Sequence, residues 1–252
     1  MKKPRITFRS FILFVLLNCV IIDAYSISIS TRRLYLDPKS NSTFIRVHNM
    51  EDGIQNCKVS IKETFINKLG NITLVTSDEV TANSAKPLVR LAPKRFTLGT
   101  RKHQMVKLLY RRKPGLENGE YRGVLAIQCK EKTEKSARQV TIEPSLIHNV
   151  PVIVRTGKLP IQAEFVSTAI NGNTLHLELK IQGQRSLTGK VAVINSATGE
   201  VIFERNNLSI YAEQPLKKFE FALGEYQNTP LLVKFTEDPK MGGDLMIQQP
   251  VN

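Results

Sequence analysis

Apolar residues recur at every second position through most of this chain. Ile45 and Val47 alternate with Arg46 and His48, and Cys57, Val59, Ile61 and Phe65 fall on one parity. Val106, Leu108 and Tyr110 form a third set, and Tyr121, Gly123, Leu125, Ile127 and Cys129 share a face. Leu175, Leu177, Leu179 and Ile181 alternate with His176, Glu178 and Lys180. Val201 and Phe203, then Leu231, Val233 and Phe235, continue the habit. A strand with one buried and one wet face writes this period of two. No stretch carries a capped apolar period of 3.6. Turn signals separate the runs, among them Asp37-Pro38, Pro114-Gly115, Asn118-Gly119, Asn171-Gly172-Asn173 and Met241-Gly242-Gly243. Short strands broken by turns predict an all-β chain built from β-sandwiches.

One boundary stands out. Val150-Pro151-Val152-Ile153-Val154-Arg155 is strongly β in composition, and Gly157 to Pro160 follows it before a new strand series starts at Ile161. The expected organisation is two sandwich domains, 27–156 and 161–252, with a linker at 157–160.

Residues 1–26 read as an address. Lys2, Lys3, Arg5 and Arg9 precede an apolar run from Phe11 to Ile22, and Ala24 and Ser26 place small residues before the expected cut. That is the pattern of a secretory signal peptide. The run is short of the roughly 20 residues that span a bilayer.

Composition adds little until export is considered. The chain has 252 residues, 36 Lys+Arg against 22 Asp+Glu, and a formal net charge of +14. A cytoplasmic protein of this charge suggests nucleic acid. An exported one rarely meets any, and no aromatic platform for bases is present. The clusters Arg101-Lys102-His103 and Arg111-Arg112-Lys113 read as solvated faces.

Catalytic chemistry is scarce. The sequence has no Gly-x-Ser-x-Gly, no His-Glu-x-x-His, no phosphate-cradling glycine loop and no Cys-x-x-Cys. His48, His103, His148 and His176 lack metal-ligand spacing. The expectation is a protein that is not an enzyme and has no cofactor, metal or small-molecule substrate. Cys57 opens one strand and Cys129 closes another, each on its apolar parity. The third and sixth strands of an immunoglobulin-like sheet are antiparallel neighbours, so the pair is placed for a cross-strand disulfide in an oxidising compartment. Two buried free thiols are the alternative.

Several local sequences resemble the periplasmic pilus chaperones, the PapD-like proteins, in a non-classical branch. Ser30-Thr31-Arg32-Arg33-Leu34-Tyr35 is similar to their first strand, and Ile45-Arg46-Val47-His48-Asn49 to their second. Pro93 to Leu98 followed by Gln104 to Leu108, then Gly119-Glu120-Tyr121-Arg122 and Val150 to Arg155, continue the likeness. It covers most of 27–156; beyond 160 only the two-domain plan matches.

The resemblance implies two immunoglobulin-like sandwiches joined at an angle by the short linker. It implies a periplasmic chaperone that binds pilus or fimbrial subunits by donor-strand complementation and delivers them to an outer-membrane usher. The chaperone lends its last first-domain strand to an incomplete subunit sandwich. Here Val140, Ile142, Leu146 and Val150 share one parity and are the donor residues expected from that likeness. The family anchors the subunit's C-terminal carboxylate on two basic residues. Arg32 matches the first, with Arg33 competing for the role, whereas Pro151 stands at the second, where Lys is usual. Arg155 matches an interdomain salt-bridge arginine, with Glu120 as candidate partner. The alternative reading is an exported structural or adhesive sandwich protein of a pilus. A subunit, however, is one incomplete sandwich with a donor extension at its start, whereas this chain has two domains and an internal long strand.

Overall fold

The computed structural model describes residues 27–75, 81–132 and 146–251. The expected signal peptide lies outside them, as do the donor candidates Val140 and Ile142.

The described chain is almost wholly β. Its strands are β1 (Ile27–Ile29), β2 (Leu34–Leu36), β3 (Ser42–Asn49), β4 (Gln55–Lys62), β5 (Thr64–Ile66), β6 (Ile72–Leu74), β7 (Val89–Ala92), β8 (Arg95–Leu98), β9 (His103–Tyr110), β10 (Gly119–Glu131) and β11 (Ile147–Thr156), followed by β12 (Ile161–Asn171), β13 (Thr174–Gly183), β14 (Leu187–Asn195), β15 (Val201–Ile210), β16 (Leu216–Ala222), β17 (Leu231–Glu237) and β18 (Met246–Pro250). They form two immunoglobulin-like sandwiches. The first packs a sheet of order β1-β3-β9-β7 on one of order β2-β11-β10-β4-β8. The second packs β12-β13-β16 on β15-β14-β17-β18. Strands β5 and β6 form a separate hairpin.

Alternation explains the burial. In β4, Gln55, Cys57, Val59 and Ile61 face inward while Asn56, Lys58 and Lys62 are exposed. Ile45, Val47, Val106, Leu108, Leu125 and Ile127 fill the first core. Leu175, Leu177, Leu179, Val193, Val233 and Phe235 fill the second. Each such aliphatic side chain contributes about 1.5–3 kcal/mol when fully buried. Where the sequence pattern failed, a strand had ended. Phe65 shares the parity of Ile61 but is 47% exposed, because β4 stops at Lys62 and Phe65 belongs to the β5–β6 hairpin. Val201 is 51% exposed at the first position of β15, where the register with β14 shifts between Val193 and Ile194.

One buried polar side chain of the first sandwich is fully matched. The Asn49 amide donates to the carbonyls of Gly53 at 2.7 Å and Gly99 at 3.1 Å, and its oxygen accepts from Glu51 N–H at 3.0 Å. A fully buried asparagine therefore ties two loops to the end of β3. Gly157 follows β11 at φ +73°, packed against Asn118, where a Cβ would overlap the Asn118 side chain.

Cys57 and Cys129 stand directly opposite in the β4–β10 pairing and form a disulfide with a sequence separation of 72. In the chain-entropy account, closing a loop of that length stabilises the fold by about 4 kcal/mol. The double variant Cys57→Ala/Cys129→Ala should lower the unfolding free energy by roughly that amount in a denaturant titration. Thiol titration of the oxidised, denatured parent should find neither cysteine free; two reactive thiols would refute the bridge.

Candidate functional site

The site begins with an asymmetry in β11. This strand pairs antiparallel with β10 along its whole length, Ile147 against Gln128 through Thr156 against Gly119. On its other side, among the described residues, it has only β2, parallel, and only from Val152 to Val154. Among the described residues nothing pairs with that side at 147–151. An edge of this kind presents unmet N–H and C=O groups to any extended chain. Charges or a covering loop usually protect such edges. Here the approach to the edge is apolar, with Leu146 57% and Ile147 46% exposed.

The remaining expected donor falls elsewhere. Val150 is fully buried in the first core, against Leu125. It is committed to its own sandwich, which removes it from the donor set. The shared parity misled here because inward-facing positions of one strand continue the same period whether they fill the home core or reach beyond it. Pro151 is half-buried in β11 and brings neither charge nor N–H to the edge.

Arg32 and Arg33 separate cleanly. Arg32 shares parity with Leu34 and Leu36, which predicts an inward side chain. It is instead exposed, because the backbone bends between β1 and β2 and alternation does not run through the bend. No hydrogen bond or ion pair engages it among the described residues. Since β2 runs parallel to β11 from Leu34 beside Val152, Arg32 precedes β2 at the end where the free edge of β11 begins. Arg33 crosses to the second sandwich, where its Nη1 donates to Thr188 Oγ1 at 2.8 Å and also to Ser209 Oγ.

The covered half of β11 carries a buried charge cluster. Arg155 and Glu120 face each other across β10 and β11, and Arg155 Nε donates to Glu120 Oε2 at 2.9 Å. The other guanidinium nitrogens donate to the carbonyls of Met241 and Ser186, each at 2.7 Å. Glu120 Oε2 also accepts from the Ser186 backbone N–H at 3.0 Å and hydroxyl at 2.9 Å. Ser186 and Met241 belong to the second sandwich, so this pair joins the two, as Arg33 does. Arg122 Nε lies 3.3 Å from Glu120 Oε1 as an ion pair without hydrogen-bond alignment. Tyr35 completes the face: the Arg155 guanidinium sits 5.3 Å from its ring centre, and its hydroxyl donates to Asp37 at 3.0 Å. Burial, then the Asp37 carboxylate, push the Tyr35 phenol up to about 12. Gly242, at φ +72°, packs on that ring, where a Cβ would collide.

The sequence reading named Arg33 only as a rival for the anchor, not for this contact with the second sandwich, and missed Tyr35 and Ser186. Arg33 and Tyr35 do lie on the parity opposite Leu34, which marks the outer face of the sheet. Nothing in that pattern says that a second sandwich covers it.

No protein-family model matches the chain, and no curated protein matches it. In fold it is similar to solved structures of fimbrial chaperones. One is the class 5 fimbriae chaperone CfaA, at 12% identity, with 89% of this chain and 98% of that chain covered and a TM-score of 0.45. Another is the YadV chaperone, at 12% identity, 90% and 100% coverage and a TM-score of 0.49. A third is the CsuC–CsuE chaperone–tip adhesion subunit pre-assembly complex of Acinetobacter baumannii, at 11% identity, 89% and 98% coverage and a TM-score of 0.45.

Removing one partner of a buried ion pair costs about 3–5 kcal/mol. Glu120→Ala strands Arg155 without its carboxylate, and its unfolding midpoint in urea, followed by circular dichroism, should fall by an equivalent amount. A loss below about 0.5 kcal/mol would show that the cluster adds no stability.

Proposed function

We propose that this protein is a periplasmic chaperone for pilus or fimbrial subunits, working by donor-strand complementation. The observation that carries the reading is the unpaired upstream half of β11, approached by exposed Leu146 and Ile147. A subunit lacking one strand would pair its main chain with this edge, and apolar side chains at alternate positions would fill its groove. Ile142, Val140 and Leu146 are the donor side chains in this account. The covered half of β11 stays fixed to the second sandwich and supplies a rigid base for the half that is lent. The usher receives the resulting pair, and residues 1–26 direct the chain to the periplasm. The disulfide fits an oxidising compartment. The account calls for no cofactor and no catalysis.

Arg32 is the anchor for the subunit's C-terminal carboxylate. It is exposed, unengaged among the described residues and placed where the free edge starts. Arg33, already committed to Thr188 and Ser209, sets the second sandwich against the first.

The donor assignment is tested with Ile142→Asp and Leu146→Asp. Each variant should keep the parent melting temperature, since Leu146 is exposed in the free chain, and should lose subunit capture. Burying an unpaired charge in an apolar groove costs several kcal/mol. A large fall in melting temperature, or unchanged capture, would overturn the mechanism. The experiment also separates the pilus-component reading, since a chaperone gives a soluble one-to-one pair with the subunit and a subunit polymerises.

The anchor has its own test. Arg32→Ala should cost the fold less than about 0.5 kcal/mol. A charge-assisted contact contributes about 1.5–3 kcal/mol, so capture should weaken about tenfold to a hundredfold. Unchanged affinity in a pull-down titration would move the anchor to another base.

A further inference from the structure

A second open corner lies on the first sandwich, away from β11. Between β7 and β8 the chain passes from one sheet to the other. Strand β8 follows β4 only from Gln55 to Lys58, and the last contact is Val59 N–H to the Lys94 carbonyl at 2.9 Å. Beyond it, no described strand pairs with that side of β4 at residues 60–62. Among the described strands, β7 has β9 as its single neighbour. A groove of about 920 Å³ opens between these edges.

Its chemistry is one-sided. Half-buried Val89 and Leu91 line its interior above the buried core residues Val59 and Ile61, and Lys58, Lys86, Arg90, Lys94 and Arg95 are exposed around it. No Asp or Glu is among the residues that line it. Lys86 stands 4.0 Å from Glu63; the other four have no ion pair among the described residues. Cations gathered without counter-charges repel one another and attract an anionic partner. A phosphate surface would answer the charge alone. The open strand edges call for main-chain groups as well, and the apolar lining calls for apolar side chains.

We propose that this groove docks an extended acidic segment of a partner protein, with carboxylate and apolar side chains alternating. Its main chain runs along the free edge of β7. Its apolar side chains face Val89 and Leu91, and its carboxylates meet Arg90, Lys94 and Arg95. The site is separate from the edge of β11, and either reading stands without the other.

The probe is a fluorescently labelled ten-residue peptide alternating Glu and Val, titrated by anisotropy against the disulfide-bonded protein. Comparators are a Lys-Val peptide, an all-Glu peptide and phosphatidylglycerol vesicles. The Glu-Val peptide should bind, more weakly as salt rises, and the Lys-Val peptide should not. Arg90→Glu/Lys94→Glu/Arg95→Glu should weaken binding by about tenfold or more at an unchanged melting temperature. Lys39→Glu/Lys68→Glu/Lys158→Glu, with the same change in charge, should bind as the parent does. Should the first triple variant melt early, Arg95→Glu alone carries the test, with a loss of about threefold expected. Equal loss in both triple variants would overturn the groove in favour of diffuse charge. Equal affinity for the all-Glu peptide would overturn strand pairing, and binding of the vesicles but of neither acidic peptide would mark the site as a lipid surface.

Discussion

The buried pair of Glu120 and Arg155 is the constraint around which the rest is arranged. Two charges removed from water are tolerable only when additional hydrogen bonds offset the lost hydration. Arg155 therefore needs the carbonyls of Ser186 and Met241, and Glu120 needs the Ser186 N–H and hydroxyl. All of these lie on the second sandwich. Satisfying the pair thus fixes that sandwich over the downstream half of β11. The upstream half is left outside the contact.

The same division is written into the other neighbour of β11. Strands β1 and β2 are consecutive in sequence but belong to opposite sheets. The bend between them uses up the residues that would otherwise have extended β2. What remains is three residues long and covers only Val152 to Val154. Two unrelated devices, a charged contact between sandwiches and a strand that changes sheets, therefore end at nearly the same place. The free edge is what both leave uncovered.

Much of the fold was legible because burial follows a period of two, and a period of two is visible in sequence. The strands around Ile45, Leu125, Leu177 and Val233 needed no more than that. So too for Cys57 and Cys129, whose positions on their strands made them candidates for facing one another. Phe65 and Arg32 show where the pattern stops. Parity has meaning only within a continuous strand, and a bend or strand end resets it without altering composition. Arg33 and Tyr35 show a second limit. The alternation tells which side of a sheet a residue takes, and a covered outer face looks the same as a wet one. Val150 shows the third: home core and borrowed groove both ask for apolar residues at alternate positions, so the border between them is set by partner strands and not by side-chain type.

The position of the disulfide gives it a role apart from stability. Cys57 and Cys129 are cross-strand partners on the inner face of β4 and β10. Sliding one strand by a single residue turns its side chains to the opposite face. The sulfurs then lie on different sides of the sheet and cannot join. The disulfide can therefore close only when β4 and β10 are correctly aligned, and once closed it holds them in that frame.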